Sequence, residues 1–516
     1  MSTRPDGSWG RLFARAAPAI VVLVALALYV VTLMPGAAFD DWGEMQSVPH
    51  VLGVAHPTGY PTYILTAWLF ELLPLGSVAW RANFLSATCV AVALGSLTAI
   101  GPRVGVRPVL AALAALATGA VATVWSSAVV AEVNPLHLAL MALLIHRSLV
   151  WADELRLRDL ALGGLLVGLG LGNHLLTGFV APFFVLFALW AGRHALREKP
   201  AWLLAPVAAG LAGLAVYAYI PIAAAANPPL PYNHPTTLDG LRFLVTGEQF
   251  RGQFSGLFTT SSFGPFTSSM GDLAQLMAAR ATPVFPILGL IGLALLVRRR
   301  PAFGLACWGA LIAGIDVWAN YLHLEHYLLV PFLLLGIGVG VALDAGVNGV
   351  TRVLAGRRLG RGAIVVAGGL AAVLVVALVL RNAQLANRND DRSAQDYIDA
   401  MAAQLPPNAA VMTYWAAAPP LWYATLVEGL RPDLLVVDDT NIVYEGWGTR
   451  ERRIDELICD RPVYVMRPND AELDPTRAAY ALTEAFRVYV GRGTPSAVQS
   501  VPVYLVHPPP GRCPAA

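Results

Sequence analysis

The feature that most constrains this chain is a succession of long apolar runs. A helix needs roughly 20 apolar residues to cross a bilayer. Eleven stretches approach or reach that length: 16–34, 83–101, 108–127, 134–151, 159–173, 175–191, 201–222, 284–297, 303–320, 326–344 and 362–380. The expected class is therefore a polytopic α-helical membrane protein. Composition agrees, because 13% of the 516 residues are charged, against about 25% in soluble domains. The net charge of +2, with no basic block, gives no sign of a nucleic-acid partner. A lipid bilayer is the partner that the composition demands.

One further apolar stretch, "GYPTYILTAWLFELLP" (59–74), is short, opens near Pro61, ends at Pro74 and contains Glu71. Arginine placement decides whether it crosses, since cytoplasmic loops carry the excess of basic residues. Arg4, Arg11 and Arg15 precede the first run and put the N-terminus in the cytoplasm. If 59–74 stays on the outer face, Arg103 and Arg107, Arg156 and Arg158, Arg193, Arg197 and Lys199 all fall inside. So do Arg298, Arg299 and Arg300, and then Arg352, Arg357, Arg358 and Arg361. If 59–74 crossed, every group would switch sides. The pattern predicts eleven spans, a re-entrant or interfacial 59–74, and an extracytoplasmic tail. Ala37 and Ala38 resemble a signal-peptide cleavage site, but the run before them is long for that, and an uncleaved first span is expected. Arginine in place of lysine, with abundant Ala and Gly, matches the codon usage of a GC-rich bacterial genome. A bacterial inner membrane is the expected location.

The reading divides the chain at 380. Residues 1–380 form the transmembrane unit, with a first outer loop (35–82) and a long one (223–283); residues 381–516 form the tail. In the tail, "AAVMTY", "DLLVVDD" and "RPVYVMR" read as strands. "SAQDYIDAMAAQL", "APPLWYATLVEGL" and "TRERRIDELI" read as helices. The alternation predicts a small α/β domain with a partly parallel sheet. No glycine-rich phosphate fingerprint accompanies it. Cys89 and Cys307 sit in apolar runs as structural thiols, while Cys459 and Cys513 can pair if the tail is extracytoplasmic.

Polar residues collect at the outer ends of the runs. The first outer loop reads "FDDWGEMQSVPHVLGVAHPTGYP", with Asp40, Asp41 and Glu44 at the membrane exit. Asp41 and Glu44 share a face if helical. Carboxylates near a low-dielectric boundary hold protons more tightly, as a general base near neutral pH must. Acids also simply favour helix N-termini, which is the plainer account of the same residues. "HPTGYP", with His56 and Tyr60, is a rigid turn. Glu132 and Asn134 lie in "AEVNPLH", Asn173 and His174 in "LGNHLLTG", and His323, Glu325, His326 and Tyr327 in "YLHLEHYLLVP". Ionisable groups at membrane depth are costly and point to function. Asn173 and Asn83 also suit helix caps, and His174 and His326 suit interfacial hydrogen bonding. Arg81, in "WRANFLSA", suits an interfacial anchor or a lipid-phosphate contact, with Arg251 a weaker candidate for the latter.

The order "D-x-G-E", "G-V-A-H-P-x-G-Y-P", "L-P-x-G", "R-x-N", "S-A" resembles the protein O-mannosyltransferase-like membrane family, similar in plan to GT-C glycosyltransferases. The residues that carry the resemblance are Asp41, Gly43, Glu44, Gly53, Val54, Ala55, His56, Pro57, Gly59, Tyr60, Pro61, Arg81, Asn83 and Ser86. It is strong over 16–180 and one of plan beyond. Thr58 stands where a second proline is expected, and Asn134 where an aromatic is common. The resemblance implies a GT-C-like bundle, a catalytic acid in the first outer loop, and a polyprenyl-phosphate-linked sugar as donor, with mannose the first expectation. The acceptor would be a protein or glycan hydroxyl. On this reading Asp41 is the base, with Asp40 the other candidate, and the reaction inverts the anomeric centre. Glu44 orients the acceptor or holds a sugar hydroxyl. Arg81, with His56, meets the leaving phosphate. No cofactor is expected; a divalent ion on Asp40, Asp41 and Glu44 is the disfavoured option. The competing readings are a transporter or flippase of a lipid-linked sugar, and a membrane scaffold without catalysis.

Overall fold

The computed structural model describes residues 8–253, 263–321, 323–353, 360–442, 446, 448–491 and 498–513. Arg4, Arg357, Arg358 and the middle of the 223–283 loop lie outside the described residues, as do the side chains of Arg11, Arg251 and Arg361.

The membrane unit begins with α1 (Ser8–Val31), a short α2 (Asp40–Ser47), α3 (Pro61–Glu71) and α4 (Val78–Arg103). There follow α5 (Pro108–Gly119), α6 (Ala122–Ala128), α7 (Val133–Glu154), α8 (Leu157–Asn173), α9 (Thr177–Ala191) and a small α10 (Arg193–Glu198). Then come α11 (Leu204–Leu214), α12 (Tyr219–Ala225), α13 (Leu238–Val245), α14 (Phe263–Ala281) and α15 (Val284–Arg299). The unit closes with α16 (Pro301–Asn320), α17 (Leu329–Val353) and α18 (Gly360–Ala386). Each of the eleven apolar runs lies in these helices. Among the described residues, seven helices are long and apolar enough to cross a bilayer alone, and nine if two bent pairs each count as one span. The bent pairs are α5 with α6, at 73°, and Ser269–Ala281 with α15, at 110°. The runs 159–173 and 175–191 form the shorter helices α8 and α9.

The 59–74 stretch forms α3, an 11-residue helix opened by Pro61, where proline's missing N–H costs nothing. At 1.5 Å per residue it reaches about 16 Å, half of the roughly 30 Å hydrocarbon core. It therefore cannot cross, as the arginine pattern required.

The two ends of the bundle differ chemically. At one end the guanidinium groups of Arg103 and Arg300 bind Asp153 at 2.9 and 2.7 Å. Arg107 binds Asp344 at 2.6 Å, and Arg299 binds it at 3.4 Å. At the other end lie the N-termini of α4, α7 and α17 and the C-terminus of α8, which carry the polar motifs. The 26 residues of α4 hold the ends about 39 Å apart.

The tail folds as α19 (Ser393–Gln404), β1 (Ala410–Thr413), α20 (Ala418–Trp422), β2 (Leu435–Asp438), α21 (Arg450–Leu457), β3 (Val463–Met466), α22 (Asp474–Ala479), β4 (Ala481–Val490) and β5 (Gln499–His507). The sheet order is β2-β1-β3-β5-β4. β1 runs parallel to β2 and β3, and β5 runs antiparallel to β3 and β4. The three expected strands and their helices are present; the β4–β5 ribbon is additional. The expected helix from 418 ends at Trp422 and continues as a π-turn, Tyr423–Val427. Cys459 and Cys513 form a disulfide, and Cys89 and Cys307 are free and buried.

Tail and bundle share a core. Ala37, Phe39 and Ala79 of the first outer segment pack in one apolar cluster with Tyr397, Leu421 and Tyr423. The Phe39 and Tyr397 rings lie 5.4 Å apart, and the Ala79 N–H donates to Tyr423 Oη at 3.1 Å.

Candidate active site

The site is built outward from α2. Asp40 and Asp41 occupy its first turn, where the helix dipole favours negative charge. Gly43 permits a close approach: a Cβ there would lie 2.0 Å from the Ala38 carbonyl oxygen and 2.8 Å from Pro419 Cβ. The helix thus seats directly on the tail, and the Asp40 N–H donates to the Ala416 carbonyl at 3.1 Å.

Glu44, 1% exposed, grips the next motif. Its Oε1 accepts the His56 backbone N–H at 2.8 Å, and its Oε2 binds His56 Nδ1 in a short contact. On the far side of the ring, His56 Nε2 meets Tyr60 Oη at 3.1 Å. The Tyr60 hydroxyl donates to the Pro57 carbonyl at 2.9 Å. With that proton committed, Nε2 bonds to Oη as a donor, the pattern of an imidazolium. Burial pulls the His56 pKa down. Glu44 and then Asp41 outweigh it and push the value up to about 9. Burial raises the Glu44 pKa, and His56 opposes that rise. The turn is compact because Gly59 adopts φ +81°, where a side chain would also press on Ile220.

Asp41 and His56 face a cavity of about 440 Å³ between the bundle and the tail. Its walls also include Tyr60, Glu132, Asn134, His174, His326 and Tyr327. Glu132 Oε1 accepts the Val133 N–H and the Asn134 side-chain N–H at 2.9 and 3.1 Å. His174 stacks on Tyr60, centroids 5.9 Å apart, and meets Tyr327 edge-on at 5.5 Å. Arg280 grips the neighbouring Glu325 at 2.6 Å and fixes the turn that carries His326 and Tyr327. Four separate sequence motifs thus converge on one space.

Five candidates do not line this cavity: Glu44, which stands behind His56, and four others. Arg81 is a correction: its Nη1–H donates to the Leu73 carbonyl at 2.6 Å and its Nε–H to the Ser77 carbonyl at 3.2 Å. It closes the α3–α4 turn and lines no wall of the cavity. Asn83 is fully buried and acts as a staple. It donates to the Met34 carbonyl at 2.8 Å and accepts from Gln46 Nε2 at 3.1 Å. Asn173 donates to the Val133 carbonyl at 3.0 Å and ties α8 to α7. Asp40 precedes the wall residue Asp41, with its backbone at φ +53°. Among the described residues, no arginine or lysine lines the cavity, so its cationic group is His56.

The tail supplies what the motifs did not foretell. Trp415, just after β1, donates its Nε1–H to Asp41 Oδ1 at 2.7 Å. Its ring stands edge-on to His56 at 5.5 Å and to Tyr232 at 6.2 Å. Tyr232, from the 223–283 loop, donates its hydroxyl to Asn441 Oδ1 at 2.9 Å. The sequence signal for Trp415 is slight: an aromatic just beyond the predicted strand "AAVMTY". Asp41, Glu44 and His56 also offer atoms within 4.8 Å of one another, as a cation site would. Here Glu44 and His56 engage each other, so a cation would have to displace that pair.

Comparison with known proteins accords with this geometry. Residues 41–197 match the family described as Protein O-mannosyl-transferase TMEM260 N-terminal domain. The mouse (Mus musculus) Protein O-mannosyl-transferase TMEM260 is 28% identical over 473 residues, which cover 86% of this chain and 65% of the relative. The chain therefore spans just under two thirds of that protein. The Dictyostelium discoideum counterpart is 32% identical over 89 residues, 16% of this chain and 11% of its own. Among solved structures, ArnT from Cupriavidus metallidurans bound to undecaprenyl phosphate superposes with a TM-score of 0.57 at 13% identity, covering 99% of this chain and 100% of that one. Archaeal oligosaccharyltransferase AglB from Archaeoglobus fulgidus, in complex with an inhibitory peptide and a dolichol-phosphate, gives 0.53 at 10% identity, covering 96% and 74%. The resemblance to the O-mannosyltransferase-like family thus holds in sequence, and the multi-pass bundle with its sheet domain has the GT-C fold.

Proposed function

We propose that this chain is an inverting membrane glycosyltransferase. It would move a sugar, mannose by family likeness, from a polyprenyl-phosphate carrier to an acceptor hydroxyl on the extracytoplasmic face. The carrying observation is the cavity that places the Asp41 carboxylate and the His56 ring together between bundle and tail. The acceptor oxygen attacks the anomeric carbon, and its proton passes to Asp41. The bond from that carbon to the phosphate oxygen breaks, and polyprenyl phosphate leaves with the electron pair. His56 meets the growing phosphate charge, the role first expected of Arg81; such preorganised charge is among the largest catalytic effects. Glu44 holds His56 charged and in place. The chemistry asks for one base and one cation, and both are protein groups.

Two observations support the outer face. The cavity lies at the end of the bundle opposite the arginine pairs, which the positive-inside rule puts in the cytoplasm. The Cys459–Cys513 disulfide fits an oxidising compartment. The likeness to structures solved with undecaprenyl phosphate and with a dolichol-phosphate supports a polyprenyl-phosphate donor.

Asp41→Asn tests the reading in proteoliposomes loaded with polyprenyl-phosphate mannose. Loss of a general base lowers the transfer rate about 10²–10⁴-fold, while donor binding and folding persist. Unchanged transfer sinks the base role. Movement of intact donor across the vesicle without transfer establishes the flippase reading instead.

A further inference from the structure

A second cavity, of about 280 Å³, lies behind Trp415. Tyr232 and Trp415 are walls of both cavities, and Glu44, the partner of His56, lines the second, so an occupant of the second lies beside the groups that form the first. One side of it is the β2 segment Leu434–Asp438; the facing side is Pro229, Leu230 and Pro231.

β2 is an edge strand with β1 as its neighbour. The Leu435 N–H donates to the Ala409 carbonyl at 3.0 Å, and the Asp439 N–H to the Thr413 carbonyl at 2.8 Å. In a parallel ladder, alternate residues bond to the same neighbour. The N–H and C=O groups of Val436 and Asp438 therefore point off the sheet, away from β1. Among the described residues no strand pairs with that edge, and an unpaired edge is a template for another strand.

The facing wall cannot take that place. The Leu230 carbonyl accepts the Val54 N–H at 2.8 Å, the Tyr232 N–H donates to the Val54 carbonyl at 3.2 Å, and the Pro231 carbonyl accepts from His234 at 2.8 Å. Pro229 and Pro231 have no N–H to give. The segment has turned its backbone to Val54. A chain lying in the gap finds backbone partners on β2 and apolar walls from Val48, Val54 and Leu426.

We propose that the acceptor is an extended polypeptide segment that adds as a strand to the β2 edge and presents a Ser or Thr hydroxyl past Trp415 to Asp41. This rests on the transferase reading, takes the polypeptide acceptor from the family likeness, and adds where and how that polypeptide docks. Main-chain bonding gives affinity with little sequence demand, and the Trp415 boundary sets which residue reaches the base.

The test uses the full chain in vesicles with polyprenyl-phosphate mannose. Two acceptors are compared: a decapeptide with one central Thr, and a simple alkyl glycoside that has no peptide backbone. Val436→Pro removes one outward N–H and no bond to β1. The peptide-to-glycoside ratio of kcat/KM is expected to fall about tenfold, as loss of one hydrogen bond implies. N-methylation of alternate peptide residues, which removes the donors to the outward carbonyls of Val436 and Asp438, should cost the wild type a similar factor. Thr425→Trp, which fills the cavity from the tail side, should shift the ratio the same way if the proline variant folds poorly. A peptide that is used equally well by wild type and both variants overturns the proposal. So does a wild type that glycosylates the glycoside and no peptide, and in that case the transferase reading survives. A wild type that consumes no donor with either acceptor overturns both.

Discussion

Glu44→Gln separates the role of the Glu44–His56 pair from that of Asp41. Glutamine keeps the size of the side chain and an oxygen for the His56 backbone N–H, now 2.8 Å away, but removes the charge. Burial acts against the charged ring, and Glu44 is the first of the groups that lift His56 to about 9 from an ordinary 6.5. That lift corresponds to about 3 kcal/mol of preference for the imidazolium. Without Glu44 the desolvation remains, and His56 becomes neutral near pH 7. The wild-type kcat/KM should hold through neutral pH and fall as the pH rises through about 9. In Glu44→Gln the basic limb should move below about pH 7. At pH 7.5 the variant should lose about 10²-fold, the usual cost of one preorganised donor at a developing charge. Stability carries the same signature. His56 has a folded value above its unfolded one, so its contribution is complete below 6.5 and fades as pH rises through about 9. The thermal midpoint of the wild type should decline across that window, and that of Glu44→Gln should decline less. Transfer rates from pH 5.5 to 10, with a histidine NMR titration, read both quantities. A basic limb that stays at pH 9 in the variant refutes the assignment of His56 as the cation.

Trp415→Phe deletes the N–H that bonds Asp41 at 2.7 Å; kcat for sugar transfer should fall about 5–30-fold, with donor affinity, read by titration calorimetry, changed little. Arg81→Ala should change kcat/KM less than about threefold, yet lower stability by about 1–3 kcal/mol in denaturant titrations, because its bonds hold the α3–α4 turn. Cys513→Ser opens a disulfide with a sequence separation of 54, which should cost the tail about 4 kcal/mol, seen as an earlier melting step. Dialysis against a chelator should leave transfer within about twofold, since the Glu44–His56 contact occupies the atoms that a cation would need; restoration of activity by an added divalent ion would refute this.

The bundle was legible because its signals are local and strong. Apolar runs give spans, and arginines give direction. Together they fold α3 back to the outer face, and α3, with 11 residues, is too short to cross. The convergence of Asp41, His56, Glu132, His174, His326 and Tyr327 was legible for a related reason. Each sits at a span end, and once directions are fixed all of those ends share one face. Arg81 and Asn83 satisfied the same rule and still missed the cavity. Membership of the outer face leaves open which carbonyls lie nearer than the cavity, and Arg81 found those of Leu73 and Ser77. Sequence distance hid the rest. Trp415 lies 374 residues from Asp41, on a strand end whose own pattern speaks only of the sheet. What brings it back is packing: Gly43 lets α2 seat on Pro419, and Phe39 enters the same cluster as Tyr397. "D-x-G-E" therefore encodes two things at once. Its acids face and brace the candidate site, and its glycine admits the domain that completes it. On the proposed reading the tail then belongs to the active site, and a change at Gly43 that adds a Cβ should impair the site through the tail while leaving every acid in place.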